Sequence, residues 1–111
     1  MPTELVILSD LQPTTARVAL VCEQWYPDGL VIEAPDGGFR QAVDGDGVAL
    51  ASFFDARQVR VRAAVAGAVV GAAEEHVWWT DVTIPYGDAT RGRALADEVA
   101  ARAGGVLRDR S

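Results

Sequence analysis

The stretch HVWWTDVTIPYGDATRGRALADEVAARAGGVL, residues 76–107, decides the fold. Its first part, His76 to Ile84, alternates as a strand, with Trp78, Val82 and Ile84 on one face and Val77, Trp79, Asp81 and Thr83 on the other. Pro85-Tyr86-Gly87 interrupts the strand, and Asp88 is placed to cap a helix. Along that helix Gly92, Leu95, Ala96, Val99 and Ala103 form a narrow apolar stripe, whose small residues permit close approach to a sheet. Glu98 and Arg102 make a favourably oriented i,i+4 pair near its C-terminal end. Gly104 is expected just past the last turn, and Gly105-Val106-Leu107 opens a closing strand. The segment reads as a βαβ-like unit.

Working back from it, Arg57 to Val65 alternates with Val59, Val61, Ala63 and Val65 on one face and Arg60 and Arg62 on the other. Leu30 to Ala34 and Phe39 to Val43 flank Pro35-Asp36-Gly37-Gly38, a strong hairpin signal. Asp44-Gly45-Asp46-Gly47 is a second turn, leading into Val48 to Phe54. The middle of the chain is therefore expected to be an antiparallel meander with one solvated face.

At the N-terminal end, Leu5-Val6-Ile7-Leu8 is a short apolar run closed by Ser9-Asp10, as in a buried strand. From Leu11 to Trp25 two patterns compete. Leu11, Val18, Cys22 and Trp25 follow helical spacing, with Asp10 able to cap and Pro13 in a tolerant first turn. Val18, Leu20 and Cys22 also alternate as in a strand. The helical pattern is the favoured one. Tyr26-Pro27-Asp28-Gly29 ends the element.

Together these elements predict one α+β domain over residues 1–111: a single-layer, mainly antiparallel sheet with two helices on one face, in a ferredoxin-like or related βαββ…βαβ arrangement. At 111 residues the chain can bury about two thirds of its unfolded surface around one modest core. Half of its residues are apolar and 23% are charged, which is the globular range.

The charge balance narrows the partners. Sixteen Asp and Glu stand against ten cations, every one of them Arg, for a formal net charge of −6. On average that repels a phosphate backbone, so nucleic acid is not expected, and it speeds encounter with a basic protein. Cys22 is the only cysteine, which rules out an internal disulfide and fits a reducing cytoplasm. The apolar run after the N-terminus is too short for a signal or a membrane span, and Ala63 to Ala73 is about half the length of a spanning helix. A cytoplasmic protein without membrane contact is expected.

His76 follows Glu74 and Glu75, but neighbours in an extended segment point to alternate faces, whereas a metal needs converging ligands. A Cys22–His76 nucleophilic pair would need adjacency in space. Asp44-Gly45-Asp46-Gly47 fails as a calcium loop, because the aligned first and twelfth positions are Ala42 and Phe53. The glycines lack phosphate-loop spacing. No catalytic residue, metal or cofactor is expected. Trp78 and Trp79 must point to opposite faces, so one of them lies on the face that helices leave open. This makes Trp79 with Asp81, Arg60 and Arg62 a candidate contact patch, and the hairpin-loop acids Asp28, Asp36, Asp44 and Asp46 candidate steering groups.

Val77-Trp78-Trp79-Thr80, Arg93-Ala94-Leu95-Ala96, Val99-Ala100 and Gly104-Gly105-Val106 carry a resemblance over the last third of the chain, and the Pro35-Asp36-Gly37-Gly38 hairpin extends it loosely. The chain resembles a type of small actinobacterial α+β protein, some members of which act as immunity proteins against toxins. The resemblance implies a non-enzymatic module that occludes a basic toxin domain, and it brings no catalytic residues with it. A self-associating module, pairing two copies through a strand edge or sheet face, is the alternative. A small enzyme or ligand carrier with a pocket between helix and sheet, involving Cys22 or His76, is the third.

Overall fold

Residues 2–58, 78–85 and 89–110 are described by the computed structural model. The elements are β1 (Thr3–Ser9), α1 (Thr15–Trp25), β2 (Leu30–Glu33), β3 (Phe39–Val43), β4 (Ala49–Phe54), β5 (Arg57–Gln58), β6 (Trp78–Ile84), α2 (Thr90–Arg102) and β7 (Gly105–Asp109). The seven strands form one open sheet in the order β2-β3-β4-β6-β1-β7, with β5 also paired to β6. Every described pairing is antiparallel. The α+β class expected from the sequence is present, and so is the part of the expected antiparallel meander that falls on β2, β3 and β4.

β1 lies between β6 and β7 and runs antiparallel to each. The last βαβ unit is thus split: α2 joins two strands that run the same way on either side of β1. A central strand covered on both faces should read as a continuous apolar run. Leu5, Val6, Ile7 and Leu8 are all buried accordingly. Along β6, β4 pairs through Ser52–Thr83 and Phe53–Val82, and β5 continues through Arg57–Trp79. One extra residue is absorbed between Phe53 and Arg57, as in a bulge.

The segment that supported two patterns is helical from Thr15, four residues later than a cap at Asp10 would give. Pro13 favours extended backbone before it and lacks the donor that a continuing helix needs. Thr14 is therefore the N-cap, extended at φ −70° and ψ 165°, and its hydroxyl accepts from the Arg17 amide at 3.3 Å. The buried face of α1 is Val18, Val21 and Cys22, while Leu11 and Trp25, expected in that stripe, are exposed. In α2 the expected stripe is buried in full, joined by Ala100. Arg102 Nε donates to Glu98 Oε2 at 2.7 Å, and Gly104 takes the positive φ of 70° that the chain reversal requires. Helix α2 begins after Ala89 without a side-chain cap. Asp88, expected to cap it, lies outside the described residues, as do His76, Arg60, Arg62 and the rest of the strand expected to run to Val65.

One core cluster joins Val18, Val21 and Cys22 of α1 and Leu95, Ala96, Val99 and Ala100 of α2 to Leu5, Ile7, Ala42, Ala51, Phe53, Val82 and Ile84 of the sheet. Both described helices therefore cover the same sheet face. Gly92 makes the closest approach possible: a Cβ there would collide with the Leu50 carbonyl oxygen. No helix among the described residues is long and apolar enough to cross a membrane.

Candidate functional site

The register fixes what the other sheet face carries. With Phe53, Ala51, Ala42, Arg40, Val31 and Glu33 turned to the helices, alternation turns Leu30, Ile32, Phe39, Gln41, Ser52 and Phe54 the opposite way. Glu33 confirms the helix side, because its Oε2 accepts from the Thr15 hydroxyl of α1 at 2.8 Å. On the open face, Leu30 is 54% exposed and Ile32 50%, while Phe39 and Phe54 are 37% and 38% exposed. Phe39 and Phe54 are cross-strand partners, and their ring centroids lie 5.7 Å apart. Gln41 and Ser52 sit between the apolar ends and bond to each other at 3.1 Å. The result is a mostly apolar surface across β2, β3 and β4, of the kind that marks an interaction site.

Carboxylates stand at both ends of this surface. Asp28, Asp44 and Asp46 lie on the turns beside Leu30 and Val43, and Asp36 and Asp55 lie beside Phe39 and Phe54. From residue 28 to residue 55 the chain carries six carboxylates, Asp28, Glu33, Asp36, Asp44, Asp46 and Asp55, against Arg40 alone. That span holds five of the six net negative charges of the whole chain, so the charge is concentrated around the meander. Arg40 is itself buried, with Nη2 bonded to Asp55 Oδ1 at 2.7 Å and to the Gly37 carbonyl at 3.2 Å.

The four loop acids singled out from the sequence do not share one environment. Asp44 is buried and structural: its Oδ1 accepts from the Asp46 and Val48 amides, each at 2.9 Å, and its Oδ2 from Arg91 Nη1 at 2.9 Å. The Val48 amide bond, more than the Arg91 guanidinium, holds its carboxyl below the usual carboxylate range, against the opposing pull of burial. Asp36 Oδ1 accepts from the Gly38 amide at 2.8 Å, closing the turn in which Gly37 takes a φ of 75°, and Asp36 stays exposed. Asp28 and Asp46 are exposed and line, with Asp44, Trp25, Tyr26 and Arg91, a shallow groove of about 500 Å³. The Arg91 guanidinium lies 5.8 Å from the centre of the Tyr26 ring.

Comparison with protein-family models, curated proteins and solved structures found no match.

Trp79 and Asp81 share the open face, as the alternation requires, but their neighbours differ from those expected. Trp79 Nε1 donates to Asp81 Oδ1 at 2.9 Å, and the Arg57 guanidinium lies 5.4 Å from the centre of its ring. Asp81 also receives Arg110 Nη1 at 3.0 Å and Arg57 Nη2 at 3.4 Å. Trp79 retains only 5% of its surface and packs beside Leu8, its cross-strand partner. The ring is buried instead of standing free as a contact anchor. The exposed apolar area is on β2–β4, at residues the sequence reading had assigned to strands without singling them out. Its signal was there in Leu30-Val31-Ile32, where apolar residues occupy both faces of a strand with only one face toward a helix. Cys22 is buried, and burial pushes its thiol pKa up.

Proposed function

We propose that this chain is a non-enzymatic protein-binding module of the immunity type, which covers a basic partner domain with the open face of β2–β4. The observation that carries the reading is the exposed apolar row Leu30, Ile32, Phe39 and Phe54 with carboxylates at both of its ends. Apolar area at the centre supplies affinity once water is excluded, and the acidic surround speeds encounter with a positive surface and disfavours an acidic one. Asp28, Asp36 and Asp46 are the steering groups of this reading, with Asp44 holding the loop that carries Asp46.

The fold reading that accompanies it is a ferredoxin-like core made of β1, α1, β4, β6, α2 and β7, with β2 and β3 inserted as a hairpin between α1 and β4. The spatial order β4-β6-β1-β7 and the split unit β6-α2-β7 support it. On this view the inserted hairpin is the part that carries the binding surface.

Co-expression with the product of the adjacent reading frame tests the function. A stoichiometric complex is expected, and it should be lost in Ile32→Asp and in Phe54→Asp, whose folding is checked by thermal melting. A complex indifferent to both substitutions would overturn the placement on this face. A homodimer that forms without any partner would favour the self-association alternative.

A further inference from the structure

Among the described residues β2 is the outermost strand of the sheet, so one row of its backbone groups faces no described neighbour. The Ala34 amide donates to the Phe39 carbonyl at 2.9 Å, which sets the phase of the β2–β3 ladder. By the period of two, Leu30 and Ile32 also turn their backbone groups inward to Val43 and Gln41, while Val31 and Glu33 turn theirs out. The free edge therefore offers two N–H donors and two carbonyl acceptors. Its side chains are sorted as well. Leu30 and Ile32 rise on the open face, and Glu33 lies on the helix side, where Thr15 holds its carboxylate.

We propose that a basic partner binds by adding an extended segment to β2 as one more strand of the sheet. This rests on the protein-binding reading above and specifies its mode. Residues of the segment opposite Leu30 and Ile32 are apolar and lengthen the apolar row; the residue opposite Glu33 is Arg or Lys and forms a cross-strand ion pair. Main-chain hydrogen bonds from Val31 and Glu33 supply the common part of the affinity, and the alternating side chains supply the choice of partner.

Charge selects this occupant over a second copy. Antiparallel pairing of β2 with another β2 centred on Ile32 would set the outward groups of Val31 and Glu33 against each other, but it would bring the two Glu33 carboxylates onto one sheet face as diagonal neighbours, with no cation on either strand to relieve them.

Backbone amide exchange in the full chain, followed by NMR, tests the proposal with synthetic probes. A short blocked peptide alternating Arg and Val is compared with a Glu and Val counterpart and with the Arg and Val peptide N-methylated at alternate amides. The Arg and Val peptide is expected to slow exchange at Val31 and Glu33 by about tenfold or more at saturation. The Glu and Val peptide should bind at least about tenfold more weakly, and the N-methylated one should give no protection. Glu33→Pro removes an outward donor at an edge position that tolerates proline and should abolish the response; Glu33→Gln keeps the donor and should retain protection with weaker binding. If Glu33→Pro does not fold, the N-methylated peptide carries the same comparison. Shifts at the Leu30, Ile32, Phe39 and Phe54 side chains without protection at Val31 and Glu33 would overturn strand addition and leave the protein-binding reading intact. Protection that appears without peptide and grows with protein concentration would overturn it in favour of a second copy. No response to any peptide would overturn it too, while the co-expression complex independently decides whether the chain binds a protein at all.

Discussion

Asp44 shows how one carboxylate serves the turn before it can serve a partner. Its two oxygens satisfy the Asp46 and Val48 amides and Arg91, tying the β3–β4 turn to α2. Because its folded pKa is depressed, its stabilisation is present above the unfolded value of about 3.9 and is lost as pH falls through the folded value. Asp44→Asn keeps an oxygen for the amides and removes the charge. It should lower the urea midpoint at neutral pH and flatten the loss of stability on acidification, measured by denaturation from pH 6 down to pH 2. A variant as acid-sensitive as the parent would remove Asp44 from that account. Cys22 gives a second residue-level expectation of opposite sign. Burial raises its thiol pKa, so the reactive thiolate is scarce at neutral pH. Thiol titration should be slow in the folded chain and complete at once in denaturant; rapid native labelling would reopen the carrier alternative with a nucleophile in reach. The Arg91 partner of Asp44 could not be read from the string alone, since Arg91 lies far along the chain and only the fold brings the two together.

At the scale of elements, the sequence was most legible where a period is long and its ends are punctuated. The α2 stripe, the Glu98–Arg102 pair and the Gly104 reversal follow from spacing that only a helix satisfies. Helix α1 was harder because Val18, Leu20 and Cys22 fit both periods, and its start was misplaced because a proline inside a helical pattern was read as a first-turn residue. It precedes the cap. Gly92 tests how closely α2 must approach the sheet. An added Cβ would meet the Leu50 backbone carbonyl, which cannot swing aside as a side chain can, so Gly92→Ala should destabilise by about 1–3 kcal/mol despite the better helix propensity of alanine. Thermal and urea unfolding measure this, and a stabilised variant would mean that α2 can shift off β4 at little cost. The exposed row on β2–β4 was the least legible element-level feature. Leu30, Ile32, Phe39 and Phe54 each suit a strand, but which face the helices cover depends on where α1 and α2 pack, a property of the assembled sheet.

Across the whole molecule the charges are divided unevenly: the meander from Asp28 to Asp55 holds nearly all of the net charge, and the rest of the chain is close to neutral. Such an arrangement acts on association more than on the final contact, because a field at long range speeds encounter while apolar burial resists departure. The two contributions separate in kinetics. Binding of a basic partner should slow in its association phase as salt rises, since the screening length falls from about 10 Å at 0.1 M to about 3 Å at 1 M. Asp36→Asn with Asp46→Asn should reduce the association rate and its salt dependence while leaving dissociation nearly unchanged, because both side chains stand in solvent beside the apolar row. Ile32→Asp should do the reverse, raising the dissociation rate by a factor that corresponds to about 2 kcal/mol or more if Ile32 is a central contact. Surface plasmon resonance over a salt series reads both phases in one experiment. Equal effects of the acid and apolar substitutions on dissociation alone would mean that the acids touch the partner directly, and that the charge around the meander belongs to the contact itself.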